Sequence, residues 1–489
     1  MTQYDLVINN GKVVDPLSKT EKVMNLGIVD DQITTITLNT IKGKNEIDAT
    51  GCVVAPGFID IHTHVDGYIP GGNELLKMGV TSAIGGNCGM YYFDKDFGTI
   101  FEDNECNDEP LDFNQIEKDW GECLNTFDEQ GFPVNIGMFV GGTALRSMTG
   151  LSLEQRDVPA NAEQIQKMVE IATKAMNDGA FGVSFGLAYS PGTTKEELVG
   201  LFQIAANFNG LASIHPRNFG AGVGGLMRDA IHGQAELIEA AKATGAKLQI
   251  GHISHQLALK GIPYNSVVTR GLKQIEDAQG EGVDVMADCL ASACAGTGVS
   301  TGIADVFFYH TTAIEKSIGV KLEQMWKVAS GPYEGQGLTR ELFEQLRKEA
   351  PRTGIVSNVM REDLMLACLI PPYVMVSSDV GPNPVPSQTK VLGQYVRENP
   401  IFSLSEALYK LSTLPAMRLG LESKGKIGVG CDADLTIFNP ETVDGVIDND
   451  HEKNKATGVE YVVVNGKIAL EKGEVVSSTA GKSMRHKPW

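Results

Sequence analysis

Six residues of this chain have the side chains to hold a metal and move a proton: His62, His64, Cys88, His215, His252 and Asp379. Imidazole nitrogen and thiolate sulfur are the donors that a divalent zinc takes, and the thiol must lose its proton to bind. Zinc in such a set lowers the pKa of water to about 7 and polarises a carbonyl. A carboxylate beside it can take a proton from the attacking water and later return it to a leaving nitrogen. Asp379 is the candidate for that role. Each residue alone has a plainer reading. His-x-His pairs are common, a lone Cys88 is a small buried residue, His215 and His252 could be core histidines, and Asp379 could cap a helix. What unites the six is their position, since each follows an apolar run.

The runs read as strands. Residues 53–64 climb from Val53-Val54-Ala55 into His62-Thr63-His64. A short, β-branched apolar run is a buried strand, and spacing two puts both histidines on one face. Similar runs cover 79–86 before Cys88, 133–140, 180–184, 211–215 ending in His215, 247–252 ending in His252, 282–288, and 373–379 ending in Asp379. Helical spacing lies between them, as at 161–177, with Ile165, Met168, Val169, Ile171 and Ala172 on one side, and at 226–244. Eight alternating units predict an α/β fold, a (β/α)8 TIM barrel whose C-terminal strand ends gather the six residues at one mouth.

Both termini read differently. Asn10-Gly11 and Asn465-Gly466 sit between alternating apolar residues, and each predicts a hairpin turn. The expected organisation is a small β-sandwich domain from 1–54 and 424–489 around a barrel at 55–423. The stretch 291–372, before the last strand, exceeds what a crossover needs and predicts a lid. The acidic loop through Glu102-Asp103-Asn104-Glu105 is a second insertion.

Composition narrows the function. The chain has 489 residues, 42% apolar and 21% charged, with net charge −20 and pI near 4.9. Nucleic acids and anionic membrane surfaces demand clustered Lys and Arg, so both are excluded as expected partners. No apolar run reaches the ~18 residues of a membrane span, and no signal-peptide pattern opens the chain. The eight cysteines are scattered without C-x-x-C spacing, which predicts a reducing cytoplasmic setting. No phosphate loop or G-x-G-x-x-G follows a first strand.

Several stretches carry a resemblance: Ala55-Pro56-Gly57-Phe58-Ile59-Asp60-Ile61-His62-Thr63-His64, Gly86-Asn87-Cys88-Gly89, Gly179-Ala180-Phe181-Gly182-Val183-Ser184, Val391-Leu392-Gly393-Gln394-Tyr395 and Ser412-Thr413-Leu414-Pro415-Ala416. Nearly end to end, the chain resembles the N-acyl-D-amino-acid deacylases (D-aminoacylases) of the amidohydrolase superfamily. Most superfamily members bridge their metals with a carboxylated lysine. Ser184 stands at that position here, and Cys88 fits the deacylase pattern instead. The resemblance implies a tight zinc on Cys88, His215 and His252, and a weaker second site on His62, His64 and Asp379.

The chain also departs from the family. A lysine that helps bind the substrate carboxylate is replaced by Ser254, a tyrosine-bearing stretch after strand seven reads Asp288-Cys289-Leu290, and the arginine-bearing loop past strand eight is shortened to 381–390. Arg217 and Arg146 are candidates to take over, since a planar guanidinium suits a carboxylate, with a structural ion pair as the competing reading. His255 and His310 are expected at the surface or behind the ligands. The expected function is zinc-dependent hydrolysis of a small-molecule amide, D-aminoacylase-like with an altered pocket. A cyclic-amide hydrolase of the hydantoinase or dihydroorotase kind is the alternative. A non-catalytic barrel relative would be marked by lost ligands, and all six are present.

Overall fold

The computed structural model describes residues 4–90, 120–152, 155–218, 230–257, 264–351, 353–358, 360–379, 384–447 and 454–487. Its centre is a succession of parallel strands: β1 (Phe58–Asp60), β2 (Val80–Gly85), β3 (Asn135–Met138), β4 (Gly182–Gly186), β5 (Leu211–His215), β6 (Lys247–Ile250), β7 (Val285–Leu290) and β8 (Val374–Ser377). All are buried along nearly their whole length, as strands covered by helices on one face and packed inside a ring on the other must be.

The ladder differs from the expected closed barrel. It forms two sheets, β1-β2-β3 and a six-stranded one that carries β4 to β8 plus the short strand Val140–Gly141. Single contacts cross both seams. Thr63 bridges Asp379 in parallel, and Phe181 N donates to Met138 O at 2.9 Å. The seams fall where the chain turns aside for other tasks: β1 runs straight into the His-x-His pair, and the chain jogs at Phe139 between β3 and Val140. Inside the ring, Ile59, Ile84, Phe139, Phe181, Leu211 and Met375 pack with Leu414, Leu419 and Met484.

Helices lie where the apolar period places them. Helix Ala162–Asp178 opens on a capping box between Asn161 and Gln164 and ends on left-handed Gly179, φ +113°. Helix Ala230–Thr244 joins β5 to β6; the expected start at 226 lies outside the described residues.

The chain ends meet in one sheet. Val53–Pro56 pairs antiparallel with Leu435–Phe438, which joins the N-terminal and C-terminal strands into nine. The expected sandwich of two sheets is thus one continuous sheet around its own core of Leu6, Ile8, Ile28, Val54, Leu435 and Val463. Strand Tyr4–Asp15 makes this possible, because it is long enough to pair with Thr20–Val29 on one edge and with two shorter strands on the other. The hairpin expected at Asn10-Gly11 is also corrected. Asn10 takes φ +64° while Gly11 stays out of the left-handed region, and one such residue makes a bulge, not a reversal. At Asn465-Gly466 both residues are left-handed, φ +49° and +74°, and the chain turns back as expected.

Within 291–372 a three-stranded sheet forms from Ala295–Gly298, Gly354–Ser357 and Trp326–Val328. Phe308 stacks on Phe343 with ring centroids 4.4 Å apart, beside Trp326. Helix Glu362–Leu369 then supplies the ordinary crossover into β8. The second insertion, around Glu102-Asp103-Asn104-Glu105, lies outside the described residues. Among the described residues no helix is long and apolar enough to cross a membrane.

Candidate metal centre

Four strand ends and the turn after β2 converge on Cys88. Its Sγ lies 3.4 Å from His62 Nε2, 3.4 Å from His252 Nε2 and 3.8 Å from His215 Nδ1. Zinc bonds of ~2.3 Å to sulfur and ~2.0–2.1 Å to nitrogen, set tetrahedrally, separate those donors by about 3.6 Å. The spacing and the donor chemistry both fit such an ion. Asp379 Oδ1 lies 3.4 Å from His64 Nε2 and 3.6 Å from His62 Nε2, again near the edge of a small metal's coordination shell. Three overlapping groups can hold a metal among the described residues: His62, His64 and Cys88; Cys88, His215 and His252; His62, His252 and Asp379.

Three of the nine described non-glycine residues at positive φ are in this cluster: Cys88 at +54°, His252 at +33° and Asp379 at +57°. Such backbone is uncommon for any residue with a Cβ, more so for Cys than for Asp or His. Asp379 is held there by a hydrogen bond from its N to His62 O, 2.9 Å.

The site is electrically tense. Burial opposes the Cys88 thiolate, yet His62 and His252 beside it outweigh burial and hold the group well below the ordinary thiol range. Burial likewise opposes the Asp379 carboxylate, and His252, His64 and His62 pull it well below the usual carboxylate range. His64, despite burial, is raised to about 10 by Asp379 and Cys88. Two buried anions are thus balanced by imidazolium charge, the role that a bound cation would fill.

A second layer orients the ligands. Asp288 Oδ1 accepts from His252 N at 2.8 Å and from Ser377 Oγ at 3.1 Å, and sits 3.2 Å from His62 Nδ1. Its Oδ2 accepts from Gln249 Nε2 at 3.1 Å. Asp60 accepts from His62 N, Ser378 N and Gln388 Nε2. The Gln256 amide lies 3.1 Å from His252 Nδ1, which leaves Nε2 facing Cys88. Sequence reasoning gave none of these a role. Asp288 was findable by the rule that found the others, because it is a polar residue late in an apolar strand.

The remaining candidates lie elsewhere. Arg146 is buried and pairs with Glu197 at 2.6 Å, with Val158 O as a second acceptor. Arg217 makes a two-pronged pair with Glu236, 3.0 and 2.9 Å, and donates to Pro191 O and Thr193 O. Both guanidiniums are therefore engaged within the scaffold. Ser254 is fully buried, as is Leu290. His255 stands behind the ligands, its Nδ1 3.5 Å from Asp379 Oδ2, and burial, with His252 nearby, lowers its pKa to about 3. His310 is exposed.

A model described as the amidohydrolase family matches residues 45–278 and 374–470, more than half of the chain. The chain belongs to the amidohydrolase family, and it is a hydrolase acting on carbon–nitrogen bonds other than peptide bonds. Within that class it is similar to N-acyl-D-glutamate deacylase of Alcaligenes xylosoxydans xylosoxydans, 29% identical over 95% of this chain and 93% of the relative. Among solved structures it is similar to N-acyl-D-glutamate deacylase from Bordetella bronchiseptica, complexed with zinc and a phosphonate mimic of the tetrahedral intermediate. That match is 25% identical with TM-score 0.83, over 99% of this chain and 100% of the other. A D-aminoacylase studied for its binuclear metal centre has the same TM-score, 0.83, at 24% identity, over 99% of this chain and 100% of the other.

Proposed function

We propose that this protein is a zinc-dependent amidohydrolase that removes the acyl group from a small N-acyl amine, related to D-aminoacylase but with a different anchor for the substrate. The observation that carries the reading is the set of three imidazole nitrogens 3.4–3.8 Å from Cys88 Sγ. Cys88, His215 and His252 would hold one zinc tightly, and His62, His64 and Asp379 a second, weaker ion. When bound, zinc supplies Lewis acidity toward a water and toward the amide carbonyl. Asp379 removes a proton from the attacking water as the C–O bond forms. It then delivers that proton to the nitrogen as the C–N bond breaks, releasing a carboxylic acid and an amine. His62, His64 and His255 flank its carboxylate, and His252 and His64 favour its ionised form against burial, ready for the first transfer. In this reading the two arcs of parallel strands act as one eight-stranded barrel at 55–423, and the terminal strands of 1–54 and 424–489 act as its support. The seven described cysteines are all free, which supports a reducing, cytoplasmic setting.

The altered pocket is supported by the placement of four residues. Ser254 and Leu290 bring no charge, and Arg146 and Arg217 already have carboxylate partners. A buried substrate carboxylate without a partner costs several kcal/mol. Substrates of the N-acetyl-D-methionine type should therefore turn over slowly against N-acyl amines that lack the carboxylate. The test is elemental analysis of the purified wild type and Cys88→Ala, beside a kinetic panel of N-acetyl-D-methionine, N-acetyl-D-glutamate, neutral N-acyl amines, hydantoins and dihydropyrimidines. Full zinc in Cys88→Ala sinks the ligand assignment. Turnover of N-acetyl-D-methionine near ~10⁵ M⁻¹s⁻¹ in kcat/KM, well inside the ordinary enzyme range, sinks the altered pocket, and preference for the cyclic amides replaces deacylation with ring opening.

A further inference from the structure

The metal thiolate rides on a turn that should not hold itself. Gly86, Cys88 and Gly89 take φ of +71°, +54° and +77°, so three of four consecutive residues are left-handed, and the cysteine among them has a Cβ that disfavours this backbone. One side chain spans the turn from end to end. Gly89 N donates to Ser184 Oγ at 3.0 Å, and the same hydroxyl donates to Gly86 O. A serine hydroxyl has one hydrogen to give and lone pairs to receive, and here both capacities are used on the two ends of one turn. Ser184 lies in the middle of β4 and is completely buried, so water cannot take over either bond.

We propose that Ser184 is a positioning residue for the metal centre: its hydroxyl staples the turn and so sets where the Cys88 thiolate points. The proposal rests on the reading of Cys88 as a metal ligand. Supporting contacts come from the other side of the turn. Asn87 Nδ2 donates to Ile84 O at 2.8 Å and Ile61 O at 3.3 Å, and its Oδ1 accepts from Ser213 Oγ at 3.1 Å. Gly86 N donates to Asp66 Oδ1 at 2.9 Å. Neighbouring backbone presses close: a Cβ at Gly186 would lie 2.3 Å from Cys88 O, and one at Gly141 would lie 2.5 Å from Gly89 O. The turn therefore sits in a slot that fixes its position, while the Ser184 hydroxyl fixes its conformation.

The experiment titrates metal-free protein with cobalt(II) and follows thiolate-to-cobalt charge-transfer absorption, then measures release to a chelator. Ser184→Ala should weaken binding about 10–100-fold, the usual effect of losing a group that orients a ligand, and speed release. Ser82→Ala is the control, since Ser82 is a buried hydroxyl on β2 with no hydrogen-bond partner; it should bind like the wild type. A second pair, Ser184→Thr and Ser184→Val, differs only in hydroxyl against methyl, so packing strain is common to both. Thr should bind cobalt about 10–100-fold more tightly than Val, and this comparison decides the matter if the Ala variant does not fold. Equal affinity and equal absorption within the Thr and Val pair, or a Ser184→Ala that binds like the wild type, overturns the staple. A wild type that binds cobalt without a thiolate band is a different failure, and it overturns the ligand reading itself.

Discussion

At the C-terminal ends of the central parallel strands the chain gathers charge, left-handed backbone and a dense polar network. At their N-terminal ends the same strands gather hydrocarbon. Ile59, Phe181, Leu211 and Met375 pack there with Leu414, Leu419 and Met484, and Met484 arrives on the last residues of the chain. That tail binds β3 and its approach mostly through backbone, with Ile136 N donating to Lys482 O at 3.0 Å, Met484 N to Ile136 O at 2.7 Å and Gly481 N to Phe132 O at 2.7 Å, and Lys482 N also donates to the Asn135 side chain at 3.2 Å. It fits because Gly481 has no side chain; a Cβ there would lie 2.0 Å from Val134 O. The contrast teaches a division of labour. Packing at the base is cooperative and insensitive to chemistry, while the mouth is chemically specific and strained, so damage at one end should be read by different instruments than damage at the other.

The sharpest break of that comparison is Asp379→Asn at the mouth. Turnover should fall by about 10²–10⁴, the range for a general acid–base group, because an amide cannot carry the proton. The Cys88, His215 and His252 set should keep its metal, and the melting temperature should change little. Metal analysis with kcat on the same preparation checks this, and unchanged turnover in a folded variant would move the base elsewhere. Met484→Ala is the mirror experiment at the base. Met484 is 6% exposed, and truncation of a buried Met costs about 2–5 kcal/mol of stability. Denaturant unfolding should show that loss while metal content and KM stay at wild-type values. A Met484→Ala enzyme that is fully stable but catalytically impaired would erase the proposed division.

How much of this was legible in the sequence differs between the two ends. The mouth was legible because polar residues at the ends of apolar runs stand out, and that rule found His62, His64, Cys88, His215, His252 and Asp379. The rule also reached Asp288, but a carboxylate that binds neighbouring ligands through hydrogen bonds has no spacing signature of its own. Arg146 and Arg217 stand near family-like stretches, yet their partners Glu197 and Glu236 lie 51 and 19 residues away in sequence, and nothing local announces such pairs. The base was silent, since the tail's contacts are largely backbone ones, and the side-chain partners of Ser483 and Arg485, Asp128 and Asn125, lie 355 and 360 residues away in sequence. The two Asn-Gly pairs show the same limit on a smaller scale. One became a bulge and the other a hairpin, because the outcome depends on whether the glycine joins the asparagine in left-handed backbone, and the pairing strands decide that.

The smallest predicted effect also lies at the base and tests the comparison through charge. At the mouth every buried charge has charged neighbours. Lys410, 4% exposed, donates to Val374 O at 2.9 Å and to Pro371 O, with no carboxylate bonded to it among the described residues. Burial, only partly offset by Cys289 and Glu406, drives its pKa down from 10.5 to about 8. The unfolded chain therefore binds more protons than the folded one between those two values, so this residue's contribution to stability rises with pH across that window and is flat below it. The difference in unfolding free energy between wild type and Lys410→Met should shift toward the wild type as pH climbs from about 8 to about 10. Other titrating groups are common to both proteins and cancel. Equilibrium denaturation at several pH values measures the difference, and a constant difference across the window would mean that Lys410 has found a negative partner.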